Sequence, residues 1–417
     1  MFKRIPGTKD ILPSDVSAWQ DIEAKSRHIF WLKNYSEIRP PLLEDLALFN
    51  RSLGEFAEVV QKQMFVIPHG QDSYALRPEG TASVVRAYIE NNLDKISGFV
   101  KLYYIGPMFR LERPQKGRLR QFHHIGAEVI GSGDPKIDSE VISLCDMLLK
   151  EYRIQGYAIK LNSLGCAKDK KDLTVFLQKE LSDKLENLCV ECRQRFSQNI
   201  LRILDCKNEQ CRQVIKKIEL NDQHLCPECK EHFQTVRQNL DAVGVSYKIT
   251  PHLVRGLDYY TRTVFEITHP LLGAQDAVGA GGRYDNLVEE LGGAPSPAIG
   301  FAFGVERLLL VADSTECLAT TKSLVYVIPL GQEAQKLSFE LSIKLPKASI
   351  PTDTTYSSVS LKSAMRKAND LGARFAVIIG DDELKKNAVT LKDMLSGAQE
   401  EVQREKLEAR LKELIKE

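Results

Sequence analysis

Apolar residues between Ser14 and Asn34 fall at Val16, Trp19, Ile22, Ile29 and Phe30, a mostly helical spacing, and Ser14 is placed to cap that helix. Residues 35–45, YSEIRPPLLED, read as a strand interrupted by Pro40 and Pro41. Proline cannot donate to a strand ladder, so this segment belongs at a sheet edge or a subunit boundary. MFVIP and SYALRPEGT predict a short hairpin leading into a helix from about Ser83. KLYYIGPMFRLE (101–112) and RQFHHIGAEVIG (120–131) are two further strand arms, and ERPQKGR at their junction can only be a turn or an extended loop.

From about Cys166 to Asn239 the sequence turns polar, helical and cysteine-bearing. Strand-like text then resumes in YKITPHLVRG, TRTVFEIT and, after a Gly-rich turn, AIGFAFGVERLLLV. A segment that interrupts strand-rich text in this way predicts an insertion domain. The C-terminal part differs again. SLVYVIPLG and RFAVIIG are short all-apolar runs, as expected of strands covered on both faces. Between them SLKSAMRKANDLG puts Leu361, Ala364, Met365, Ala368 and Leu371 on one helix face, with Gly372 as the stop. The closing helix aligns Leu407, Leu411, Leu414 and Ile415. The organisation expected is one strand-rich domain in two parts, 1–165 and 240–321, a helical insertion at 166–239, and a small α/β domain at 322–417.

Composition narrows the class without naming a function. The 417 residues carry 57 Lys and Arg against 56 Asp and Glu, a net charge of +1. That balance argues against blanket coating of nucleic acid or anionic membrane, but it permits a locally basic site. The N-terminal MFKRIPGTKDILPSD carries charge and proline where a signal peptide needs an apolar core. No apolar run reaches the roughly 18 to 20 residues that span a bilayer. The chain reads as soluble and cytoplasmic with no membrane partner, and its nine cysteines as thiols or metal ligands rather than disulfides.

There is no GxxxxGK[ST] loop and no convincing GxGxxG after a strand. GAGGRYDNL is Gly-rich and reads equally well as a tight turn. The arginines change the picture. Arg110, Arg113, Arg118 and Arg120 lie on the hairpin, Arg255 in LVRGLDYY, Arg283 in GGRYD and Arg307 in FGVERL. Arg255 and Arg307 are embedded in apolar or Gly-rich text, and a buried arginine needs a carboxylate or phosphate. Several from separate strands point to a phosphate-rich ligand held without a P-loop. Glu79, Glu128 and Glu306 stand beside small residues. They either balance the arginines or, with Thr81, Tyr259, Tyr260 and Tyr284, line a pocket for a cationic, hydrogen-bonding small molecule.

RPEGT, FRLERPQKGRLRQFHHIGAEV, LVRGLDYYTRTVFEI, GAGGRYDNLV and AIGFAFGVERL together resemble the histidyl-tRNA synthetases, a class II aminoacyl-tRNA synthetase family. YSEIRPPLLED is similar to motif 1 of that class, the hairpin to motif 2 and GFAFGVERL to motif 3. LVRGLDYY and GAGGRYD are similar to the two signatures peculiar to the histidine enzymes. The resemblance implies an α+β catalytic domain built on an antiparallel sheet, a helical insertion domain, and a C-terminal α/β anticodon-binding domain. It implies that ATP and L-histidine give histidyl-adenylate and pyrophosphate, and that histidine then passes to the 3′ end of histidine tRNA. Mg²⁺ on the phosphates and a homodimer built on motif 1 are also implied.

By the same resemblance Arg110 would grip the α-phosphate, and Arg118 and Arg307 the γ-phosphate, with Glu112 beside them. Phe122 would stack on adenine, and Arg255 would sit between the histidine carboxylate and the α-phosphate, so Arg110 and Arg255 are the expected catalytic pair. Glu79, Gly80 and Thr81 would take the α-ammonium, and Glu128 and Tyr260, near Tyr259 and Tyr284, the imidazole nitrogens. Arg113 and Gln115, with Lys116, would meet the tRNA acceptor end. One position departs from the family pattern: where Gln usually follows the motif 2 Phe by two residues, this chain has His124. A neutral imidazole still offers one donor and one acceptor. The rival reading is a regulatory histidine-binding paralogue, which typically loses the last domain and erodes the ATP-binding arginines; here both are present.

The insertion carries CVEC (Cys189, Cys192), Cys206, Cys211 and CPEC (Cys226, Cys229). Two CxxC pairs are a zinc pattern, and Cys189, Cys192, Cys226 and Cys229 are the ligands it suggests for a structural Zn²⁺. The 33 residues between the pairs are more than a usual zinc ribbon has. The family generally needs no metal here, so reduced thiols are the alternative.

Overall fold

The computed structural model describes residues 2–416 apart from 55, 56, 58, 116, 274, 313–322 and 358; Lys116 and the expected boundary at 321/322 therefore lie outside the described residues. The chain divides into two compact units, Met1–Thr315 and Glu316–Glu417. The first unit contains β1 (Ser36–Glu37), β2 (Leu43–Asp45), β3 (Phe65–His69), β4 (Asp72–Leu76), β5 (Val100–Phe109) and β6 (Gln121–Ile130). Then come β7 (Ala158–Ser163), β8 (Lys248–Ile249), β9 (Thr261–Thr268), β10 (Ala277–Arg283) and β11 (Ala298–Gly304). One large sheet has the order β1-β5-β6-β11-β10-β9-β7-β8, and a small one the order β2-β4-β3. The large sheet is antiparallel between its ends, where β1 lies parallel to β5 and β8 parallel to β7. β1 is an edge strand, and Pro40 and Pro41 lie in the link between it and β2, outside both ladders, where their lack of an N–H costs nothing.

Strand side chains alternate between faces, and β6 shows what that does here. Its Ile125, Ala127 and Val129 join a core with Phe30 of the helix Pro13–Leu32 and Ile142 and Leu148 of the helix Pro135–Glu151. Phe30 stacks on Tyr103 of β5, ring centres 4.4 Å apart. The other parity, Phe122, His124, Gly126 and Glu128, is turned to the opposite face. One strand thus anchors in the core and presents chemistry on its reverse.

Several pattern readings need correction. The first helix is capped at Leu12 without a side-chain bond, because Pro13 at its first turn has φ preset and no N–H to satisfy. The helix after RPEGT begins at Thr81, where the Glu79 carboxylate accepts from the backbone N–H groups of Thr81 and Ala82 at 2.6 and 2.8 Å. Only Lys248–Ile249 of YKITPHLVRG is strand. The second half of AIGFAFGVERLLLV is the helix Val305–Val311. The supposed Gly-rich turn is central strand β10: a Cβ on Gly281 would strike Gly300 and Phe265, and one on Gly282 Thr263 and Tyr260. These glycines answer close backbone approach rather than chain reversal.

Between β7 and β8 lie the helices Ala167–Leu181, Val190–Gln198, Glu209–Ile215 and Pro227–Ala242. The last returns to the sheet domain, with Val236 O accepting from Ser139 Oγ at 3.2 Å. The second unit is a mixed sheet of β12 (Val325–Pro329), β13 (Thr352–Thr354), β14 (Phe375–Ile379), β15 (Ala388–Asp393) and β16 (Gln399–Gln403), ordered β13-β12-β14-β15-β16. Val325 and Val327 pack toward the helices Gln332–Lys347 and Leu407–Lys416, and Tyr326 and Ile328 toward Leu361–Asp370. That two-sided cover is why the strands read as unbroken apolar runs. Ala364 and Ala368 are buried, but Leu361 and Leu371 at the ends of their helix are 40 % and 45 % exposed. No helix among the described residues is long and apolar enough to cross a membrane.

Candidate active site

A cavity of about 320 Å³ lies on the reverse face of the large sheet. Its walls gather residues far apart in sequence: Glu79, Thr81, Arg110, Glu112, Arg118, Phe122, His124, Arg255, Tyr259, Tyr260, Tyr284, Glu306 and Arg307. Gly80 lies behind this wall, where any Cβ would collide with the Tyr104 ring. Arg113 and Gln115 are exposed on the loop joining β5 to β6, outside the cavity.

Behind one end lies Glu128, which is 1 % exposed and reached through its neighbours Thr81 and Tyr284 rather than being itself part of the wall. Thr81 Oγ1 donates to its Oε1 at 2.7 Å and the Tyr284 hydroxyl to its Oε2 at 2.6 Å. Burial pushes its carboxyl up to about 8, against the lowering effect of those hydroxyls. A Cβ at Gly300 would overlap the Glu128 carboxylate, so β11 must be bare there. Burial likewise raises Glu79, opposed by its two backbone donors. Tyr259 stands between Tyr260 and Tyr284, with ring centres 4.6 and 5.6 Å away.

The other end is cationic. Arg110 is fixed by an Nε bond to Pro78 O at 2.8 Å and lies 5.3 Å from the Phe122 ring centre. Arg118 pairs with Glu112 through Nη2 at 3.0 Å. Arg307 is held by main-chain oxygens of Gly117 at 2.9 Å, Gln275 at 3.0 Å and Ala277 at 2.5 Å. Burial, with Arg118 nearby, lowers the Arg307 guanidinium, a sign of positive charge crowded without enough anion. Arg255 donates to Glu266 at 2.6 Å, and its Nε is buried without a partner among the described residues. Burial works against the Arg255 charge, but Glu266 outweighs it and the guanidinium is held above its usual range. His124 is driven down to about 3 by burial and then by Arg110, so its ring is neutral, and its buried Nδ1 has no partner among the described residues.

Two sequence readings are not met. Arg283 does not reach the cavity: fully buried, it donates through Nε to both Asp138 oxygens at 3.1 Å and through Nη1 to Asp285 at 3.1 Å. It is a structural ion pair, and Arg120 is likewise spent on Glu112 O and Pro6 O. The four expected zinc ligands also do not meet. The CxxC pairs are parted between two groups, Cys189, Cys192, Cys206 and Cys211 in one and Cys166, Asp169, Cys226 and Cys229 in the other. Each pair opens a different helix, and of the 33 intervening residues Cys206 and Cys211 join the first pair.

Sequence reasoning also missed wall residues. Glu266, Asp205, Lys207, Gln275 and Asp276 line the cavity; Glu266 lies within a quoted stretch but was given no role, and the other four lie outside every motif. For Glu266 the signal was alternation in TRTVFEIT, which turns Glu266 away from the core that takes Phe265 and Ile267. A basic cleft of about 550 Å³ adjoins, sharing Arg118, Asp205, Lys207 and Gln275 and adding Arg195 and Arg202.

Residues 7–308 match the histidyl-tRNA synthetase family and residues 324–414 the anticodon binding domain family. A histidine–tRNA ligase of Thermodesulfovibrio yellowstonii is 45 % identical over 401 residues, 96 % of each chain. One of Geobacter metallireducens is 44 % identical over 403 residues, 96 % of this chain and 97 % of that one. The crystal structure of apo histidyl-tRNA synthetase of S. aureus superposes with a TM-score of 0.83 at 33 % identity, covering 99 % of this chain and 100 % of that one. The chain therefore belongs to the histidyl-tRNA synthetase family, with a C-terminal anticodon-binding domain.

Proposed function

We propose that the chain is a histidine–tRNA ligase that forms histidyl-adenylate from L-histidine and ATP and then esterifies histidine tRNA. The observation that carries this reading is the polarity of one cavity, with Glu79 and tyrosine hydroxyls at one end and, at the other, Arg110, Arg118 and Arg255 from loops and Arg307 from a helix. A cationic amino acid and a polyphosphate fit those ends in only one direction. The regulatory-paralogue reading is disfavoured because all four arginines line the cavity and the anticodon-binding domain is present.

In the first step a carboxylate oxygen of histidine bonds to the α-phosphorus and the bond to the bridging β-oxygen breaks, releasing pyrophosphate. Two anions must approach, so the barrier falls mainly through positioning and fixed positive charge. Arg255 neutralises the histidine carboxylate and the α-phosphate, and its Nε, unpartnered among the described residues, is a donor available to the charge that builds. Arg110 holds the α-phosphate, and Arg118 and Arg307 the γ-phosphate. Phe122 stacks on adenine, leaving Arg110 over its other approach. Glu79 and Thr81 receive the ammonium, Glu128 one imidazole nitrogen and Tyr260 the other. The neutral His124 keeps a donor or acceptor for the amino-acid backbone. In the second step a ribose hydroxyl at the tRNA 3′ end attacks the carbonyl carbon and AMP leaves.

Glu112, which accepts from Arg118, and Glu306, which accepts from the His123 backbone, are cavity carboxylates that would hold Mg²⁺, an ion bound by one or two carboxylates plus phosphates. When bound, the ion supplies charge neutralisation on the β- and γ-phosphates. Arg113 and Gln115 face the acceptor end of tRNA, and the adjoining basic cleft supports its approach. Leu43 and Ile67 on one face of the β2-β4-β3 sheet, with Val66 on the other and Leu42 beside it, are exposed apolar side chains, which supports a homodimer. The enzyme acts in the cytoplasm. Charging of tRNA with and without the 5′ guanosine expected of histidine tRNA tests the substrate: equal charging of an unrelated tRNA would overturn it.

A further inference from the structure

We propose that Cys189, Cys192, Cys206 and Cys211 bind one structural zinc ion, and that this ion braces the roof of the active-site cavity. The four sulfurs lie within 4.8 Å of one another, and Cys192, Cys206 and Cys211 are buried. Zinc–sulfur bonds of about 2.3 Å in a tetrahedron put sulfurs about 3.8 Å apart. The Sγ atoms of Cys189 and Cys206 are 3.9 Å apart. A disulfide would need about 2.05 Å. Cys189 stands at the N-terminal cap position of the helix Val190–Gln198 and Cys192 in its first turn, so one helix end supplies two of the four sulfurs. The Cys189 backbone N–H also donates to Cys211 Sγ at 3.1 Å, a bond that suits a sulfur carrying negative charge.

The second group differs in kind. Asp169 already accepts from the backbone N–H groups of Cys166 and Cys226 at 3.2 and 3.0 Å, and the Cys226 and Cys229 thiols hydrogen-bond to it. Its carboxylate satisfies those thiols as they stand, so the group is complete without a metal. Four thiols that face one another have no such acceptor, and a dication is what makes their convergence favourable.

The consequence for the cavity follows from sequence adjacency. Cys206 is flanked by Asp205 and Lys207, both in the cavity wall. Just before it, Asn199 donates to Asp258 at 2.8 Å and Arg202 to Gly256 O at 2.6 Å. Those bonds grip the loop that carries Arg255. An ion at Cys206 therefore fixes the segment that fixes the Arg255 loop, and Asn199 and Arg202 are positioning residues. This second part rests on the ligase reading above; the metal itself does not.

Full-length protein purified without chelator from zinc-supplemented cells should contain about one zinc per chain. Cys211→Ser should lose it and Cys229→Ser should keep it. Wild type with under a fifth of a zinc per chain, Cys211→Ser with its zinc intact, or loss in Cys229→Ser would each overturn the assignment. If Cys211→Ser fails to fold, mercurial titration of wild type decides: about one zinc should be released, and release of none overturns the claim. Stripping the zinc should lower histidine-dependent pyrophosphate exchange by about tenfold or more, restored by added zinc. Unchanged exchange would refute the bracing alone, whereas a chain with zinc but no exchange at any stage would count against the ligase reading.

Discussion

Burial raises the Glu128 carboxyl to about 8, so near pH 7 the ligand-free pocket holds mostly a carboxylic acid. An imidazole N–H donated to Glu128 favours the carboxylate, so its proton leaves on binding. Between pH 7 and 8 histidine binding should release a fraction of a proton and tighten as pH rises; calorimetry in buffers of different ionisation enthalpy measures this. Proton uptake, or affinity falling over that window, would contradict the assignment. The same raised value means that Glu128 contributes stability fully below pH about 4.5, and that this is lost as pH rises through about 8. Arg255→Ala should lower exchange by about 10² to 10³, with a much smaller change in KM for ATP, as the loss of one preorganised charge predicts. Arg283→Ala should act on stability instead. It strands Asp138 without its counter-charge, at a cost of about 3 to 5 kcal/mol read from the urea midpoint.

At the scale of elements, β10 and β11 work as a pair of bare strands. Gly300 makes room for Glu128, and Gly281 for the β11 backbone. Gly300→Ala should therefore abolish detectable histidine binding while the protein stays folded, with a cost to stability of about 1 to 3 kcal/mol; ordinary binding by this variant would refute the packing argument. Strands with clear parity were legible from sequence: β5, β6, β9 and β12 could be read because side-chain chemistry alternates or runs apolar. β10 was hidden because its glycines are selected by neighbours that are remote in sequence, Thr263, Tyr260 and Phe265. Arg283 misled for a related reason, since its partner Asp138 lies on a distant helix and burial alone does not say which anion an arginine meets. The cysteines followed the same rule. Each CxxC was legible as a pair of neighbouring metal ligands, but whether the two pairs meet depends on the path of the chain between them.

Across the molecule, motifs quoted from the whole first unit converge on one face of one sheet, and the insertion contributes Asp205 and Lys207 to the same cavity. The exposed Leu42, Leu43, Val66 and Ile67 predict that the protein sediments as a dimer, and that a Val66→Glu, Ile67→Lys double variant shifts it to monomer. A wild-type monomer at micromolar concentration would remove that part of the account. The central claim is that the two ends of the cavity hold histidine and ATP for adenylate formation. Its most direct measurement is ATP–pyrophosphate exchange with each amino acid in turn, without tRNA. Exchange should depend on histidine and be lost in Arg255→Ala. No exchange with histidine, or faster exchange with proline or threonine, would contradict it.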